Sequence, residues 1–176
     1  MKVKQVLFFV LCLVQVGCIQ SLHPYYTEGD VYFDEGLIGS WDEGEWNVAK
    51  ADEPNVYEIR MTEGDGKEFY KGVLFKIEGE SYMDFRSGAE PESKNFVAVH
   101  TAAKLDIKED KVVVRFLNRD KIKEMLTERP GLLEHEIIDG EVLLTDETEN
   151  LQRFIREYGA LEEFYMEGHT LEKDKE

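Results

Sequence analysis

The chain has 176 residues and a formal net charge of −17, a length that suits one domain able to bury a proper hydrophobic core. The acidity argues against nucleic-acid binding, which needs a basic face to neutralise phosphates, and against docking on anionic lipid head groups by charge. The two cysteines, Cys12 and Cys18, both lie at the start, so the domain that follows closes no internal disulfide and folds on its packing alone.

Lys2 and Lys4 precede an apolar run over 6–16 that only Gln15 interrupts, and Gly17-Cys18 follows. A positive start, an apolar run too short to span a bilayer and a small residue at its end make a signal peptide of 1–17. Removing its two lysines from −17 leaves the mature chain at −19. Residues 18–30 show no periodicity and read as a tether, whose dozen or so residues reach about 40 Å when extended. Tyr25, Tyr26, Tyr32 and Phe33 draw part of this stretch onto the domain.

After Gly39-Ser40-Trp41, short alternating runs predict strands near 46–50, 56–62, 69–77, 82–86, 96–107 and 111–118. Turn chemistry separates them: Asp52-Glu53-Pro54-Asn55, Glu63-Gly64-Asp65-Gly66, Glu78-Gly79-Glu80 and Lys108-Glu109-Asp110. In the second, Tyr57, Ile59 and Met61 share one face while Glu58 and Arg60 share the other, so one side is core and the other meets water. The third is apolar on both sides, with Phe75 and Ile77 opposite Tyr70 and Leu74, and its outer face needs a cover.

The expected cover is two helices. One, over 120–129, carries Ile122, Met125 and Leu126 and stops at Pro130-Gly131; the other carries Leu151, Phe154, Ile155 and Tyr158 and stops at Gly159. Asp146 and Glu149 resemble a capping box at the second start. Between the helices, Asp139-Gly140 supplies the positive φ of a tight hairpin turn and adds two strands, about eight in all. The whole reads as a single mainly β domain over 31–165 with two short helices, followed by a charged, frayed tail over 166–176.

Val16-Gly17-Cys18 resembles a bacterial lipoprotein signal, and this resemblance implies cleavage before Cys18 and lipid on its sulfur. It places the mature chain outside the cytoplasm, anchored to a membrane. Ile19, where a retention signal for the inner membrane has Asp, directs it to the outer membrane where the host has one. Gly39-Ser40-Trp41 resembles the G-x-W signature of lipocalin-like barrels, in which the tryptophan closes one end beneath a ligand cavity. The fold expected is therefore an antiparallel meander or a lipocalin-like barrel, with Gly39 and Trp41 as structural or ligand-contacting residues at the barrel end. The stretch Ser21-Leu22-His23-Pro24-Tyr25-Tyr26-Thr27-Glu28, Phe33-Asp34 and Leu37-Ile38-Gly39-Ser40-Trp41, with Leu144-Thr145 leading into Glu149-Asn150-Leu151-Gln152, resembles the mature start of a family of bacterial lipoproteins. That family brings no known activity.

No catalytic motif stands out. His23, His100, His135 and His169 lack metal-ligand spacing, and no calcium loop, nucleophile elbow or phosphate-cradling glycine loop occurs. The expectation is a protein that is not an enzyme and holds no cofactor or metal. Two roles remain: an interaction module tethered by Cys18 that meets another envelope protein, or a barrel that holds one small apolar ligand.

Overall fold

The computed structural model describes residues 18–63, 66–88 and 97–175. Residues 1–17, expected to be a leader, the expected turn residues Gly64 and Asp65, and Phe96 at the expected start of a strand lie outside the described residues. Eleven strands and two α-helices are present among those described: β1 (Gln20–Ser21), β2 (Gly39–Trp41), β3 (Trp46–Lys50), β4 (Val56–Glu63), β5 (Gly66–Ile77), β6 (Glu80–Ser87), β7 (His100–Lys108), β8 (Lys111–Phe116), α1 (Arg119–Glu128), β9 (His135–Ile138), β10 (Glu141–Leu144), α2 (Thr148–Tyr158) and β11 (His169–Glu172). The fold is mainly β, as expected.

From β2 to β8 the chain is an antiparallel meander, each strand pairing with the next. One sheet runs in the order β2-β3-β4-β5-β6-β7-β1-β10-β9, with β8 joining β7 and β11 joining β8 off that path. The sheet is mixed, because β1 lies parallel to β10. It is not closed into a barrel, which corrects that alternative. β11 and β2 meet in a single antiparallel bridge from Trp41 to Lys173, where the Asp42 N–H donates to the Glu172 carbonyl at 2.8 Å and the Asp174 N–H to the Ser40 carbonyl at 3.0 Å. Gly39 sits at this seam with φ +140, and a Cβ there would lie 3.2 Å from Lys173 Cε. The glycine of G-x-W thus answers to backbone geometry and close approach, which a side chain would oppose.

Two cores flank the sheet. On one face, Trp41, Trp46, Tyr57, Ile59, Leu74, Met83, Phe85, Leu105, Val114 and Leu171 form one cluster that draws on eight strands. On the other face, Phe75, Ile77, Tyr82 and Ala102 are covered by Ile122, Met125 and Leu126 of α1 and by Leu151, Phe154 and Ile155 of α2. The two-sided apolar pattern of β5 is explained by this cover, since a strand buried on both faces loses its alternation.

Several local expectations need correction. The tail forms β11, paired with β8 through residues 169–172, and Leu171 is buried. The tether is packed: Ile19 and Tyr25 are buried and Gln20–Ser21 is a strand. Burial of these two apolar side chains outweighs the missing periodicity, which two paired residues cannot display. Asp146 stands one residue before the N-cap of α2, which is Glu147 with no side-chain cap bond. Its carboxylate instead accepts from the N–H of Glu134, the N–H of Glu147 and Nδ2 of Asn150, tying β9's entrance to the helix. The strand foreseen to Asn118 stops at Phe116, because Asn118 turns to cap α1 by accepting from the Lys121 N–H at 3.2 Å.

Candidate functional site

Cys18 is half-buried at the head of β1, immediately before Ile19, whose side chain is wholly inside the core. Burial pushes the Cys18 thiol up to about 11, against the lowering effect of a backbone hydrogen bond and of the Arg119 charge. An unmodified thiol there is protonated at neutral pH and a weak nucleophile, because the thiolate is the reactive form.

β1 is locked in place by a polar set behind it. Asp84, on the covered face of β6, is 1 % exposed. Its Oδ2 accepts from the Tyr25 N–H at 2.9 Å, and its Oδ1 lies 2.7 Å from His100 Nδ1. Gln152 of α2 donates to the Tyr25 carbonyl at 3.1 Å, and Thr148 Oγ1 donates to the Pro24 carbonyl at 2.7 Å. Burial raises the Asp84 carboxyl above its ordinary value, opposed chiefly by His100.

Asp84→Ala is expected to cost about 1–3 kcal/mol, the usual penalty for a buried donor left without its acceptor, and denaturant midpoints check it. The pH dependence has a definite sign. A carboxyl raised on folding contributes stability that is fully present below its unfolded value, about 3.9, and is lost as pH rises through the folded value. Asp84→Asn, which cannot ionise, should therefore gain on the wild type as pH climbs above about 4.

Trp41 is 2 % exposed, and its Nε1 donates to the Leu37 carbonyl at 3.0 Å. The Lys173 ammonium lies 5.2 Å from the ring centroid on the seam side. The space that Trp41 borders, with Trp46, Ile59, Met83 and Leu105, is about 30 Å³. A drug-sized ligand needs a pocket of roughly 300 Å³ or more, so side chains fill this face of the sheet around Trp41. Gly39 and Trp41 are together at the seam, far in the strand order from Cys18.

An outer groove of about 500 Å³ is lined by residues that include Lys104, Arg115, Gly159, Leu161, Tyr165 and Gly168. The Lys104 ammonium pairs with Glu80 Oε2 at 2.9 Å and lies 5.8 Å from the Tyr165 ring centroid, so its charge is already engaged. Tyr165 shares a 3.0 Å hydrogen bond with Tyr82, and burial raises its phenol out of reach of neutral pH. The polar side chains of the lining are Lys104, Arg115, Glu162, Tyr165 and Glu167, with no activated nucleophile among them.

The four histidines are dispersed. His23 faces Glu147, His100 faces Asp84, His169 faces Asp42 and His135 meets the Leu133 carbonyl. Among the described residues no three of His, Cys, Asp and Glu converge as a metal site, and no helix is long and apolar enough to cross a membrane. Sequence reasoning missed the Asp84–His100 pair; its signal was an acid inside Tyr82-Met83-Asp84-Phe85, where both neighbours are buried.

No protein family, curated protein or solved structure matches this chain.

Proposed function

We propose that the protein is a lipid-anchored module of the bacterial cell envelope that acts by presenting its surface to another protein, without catalysis. The anchor is lipid on Cys18, and the domain lies outside the cytoplasm, at the outer membrane where the host has one. The leader pattern over 1–17 supports the anchor, and two or more acyl chains hold a protein stably on a bilayer. The observation that supports this choice of role is the small space beside Trp41: about 30 Å³, against the roughly 300 Å³ or more of a pocket for a drug-sized ligand.

Cys18→Ser tests the anchor. In a lipoprotein-processing bacterial host the wild type should fractionate with membranes and take up labelled fatty acid, and the variant should do neither. A wild type that stays unlabelled, or that is released freely, counts against the proposal.

A further inference from the structure

We propose that the β9–β10 hairpin, through Ile137 and Ile138, is a membrane-contacting element that lays the domain directly on the lipid bilayer beside its anchor. This rests on the lipidation of Cys18 proposed above.

The strand register places the two together. β1 runs parallel to β10 with Gln20 level with Leu143, so two residues earlier Cys18 comes level with Glu141. Glu141 in turn pairs with Ile138 across the hairpin. Continuing the β1 register back past its first residue sets Cys18 in one row with Glu141 and Ile138. At 4.7–4.9 Å between strands, that register corresponds to a separation of about 10 Å between Cys18 and Ile138.

The hairpin is apolar where water should meet it. Ile137 and Ile138 are 62 % and 54 % exposed, two of the four exposed large hydrophobic residues among those described. They stand consecutively on the edge strand, just before the turn at Asp139 and Gly140, both at positive φ. The hairpin is also braced. Lys123 Nζ of α1 donates to the Gly140 carbonyl at 2.6 Å, and Arg119 Nη1 donates to Glu141 Oε2 at 2.9 Å. These contacts hold the turn next to the isoleucines, which as strand neighbours project from the two faces of the hairpin.

The packed start of the chain commits the occupant to a bilayer. An anchor on a long tether would leave the domain free in solution, but here Ile19, the very next residue after Cys18, is fully buried, and consecutive Cα atoms are only about 3.8 Å apart. Acyl chains leaving Cys18 bring the head-group layer within reach of Ile138. Apolar side chains at that boundary enter by about 5–10 Å, while Asp139 and Glu141 keep the insertion shallow. With a mature charge of −19, the contact is driven by apolar burial and requires no anionic lipid.

The test uses full-length protein processed in a bacterial host, extracted and reconstituted in phosphatidylcholine vesicles. Ile138→Cys and, as a distant control, Asp52→Cys in the turn between β3 and β4 each take an environment-sensitive fluorophore. Both replace exposed side chains, so the fold is preserved. Phosphatidylcholine brominated on its acyl chains should quench the label at 138 severalfold more than the label at 52. Equal, weak quenching at both positions overturns the membrane contact. Self-quenching between copies at 138 without lipid quenching also overturns it, in favour of a second chain on this edge. A thiol count on the wild type in denaturant separates the two readings: a blocked Cys18 with no quenching at 138 sinks the hairpin contact alone, whereas a free Cys18 sinks the anchor and the contact that rests on it.

Discussion

Deleting residues 167–176 should cost the domain half or more of its stability, or abolish cooperative unfolding. The deletion removes β11, whose residues 169–172 pair with Lys111–Val114 of β8. It takes away the buried Leu171, and losing one buried leucine side chain costs about 2–5 kcal/mol. It also opens the seam. The Lys173 N–H no longer reaches the Asp110 carbonyl, and Asp174, whose carboxylate accepts from Ser40 Oγ and the Glu43 N–H, no longer holds the turn after β2. These bonds lower the Asp174 carboxyl below its usual range, so the ionised form is the one that clamps. Set against total stabilities of about 5–15 kcal/mol, the combined loss is severe. Urea melts of the full and shortened chains measure it, and an unchanged midpoint would show that the tail is dispensable.

Trp41→Ala should cost about 3–5 kcal/mol, the range for truncating a large buried aromatic. Three losses add: the buried ring, the partner of the Leu37 carbonyl, and the face against which Lys173 lies. The small space beside Trp41 is lined without polar surface, so its enlargement makes a dry cavity of the kind that takes up small apolar molecules. Calorimetry or denaturant titration reads the stability loss, and binding of benzene to the variant alone reads the cavity. A loss under about 1 kcal/mol would place Trp41 outside the ordinary range of core truncations.

Where hydrophobic period is long enough to repeat, the sequence and the structure agree. β4 shows Tyr57 and Ile59 buried, β5 is buried on both faces, and α2 buries Leu151, Phe154, Ile155 and Tyr158 as its i, i+3, i+4, i+7 pattern requires. The Asp139-Gly140 turn was legible because only a few residues accept positive φ. The two shortest or most charged strands were not. β1 has two residues, and its parallel partner lies more than a hundred positions away, so no local pattern can announce it. β11 holds one buried apolar residue in a run of acids and lysines, and what makes it a strand is the open edge of β8. Asp84 and His100 were likewise hidden, since their pairing depends on which face of β6 and β7 receives the N-terminal segment. The packing of the segment after Cys18 was not legible either: Ile19 and Tyr25 carry it, and they join the core made by α1, α2 and the sheet.

The proposed lipid anchor on Cys18 is tested most directly by an intact mass of the protein extracted from bacterial membranes. The predicted species begins at Cys18, lacks residues 1–17 and carries the added mass of acyl chains on that residue. A chain that begins elsewhere, or one that begins at Cys18 with a free thiol, would contradict the lipid anchor and with it the membrane-laid domain.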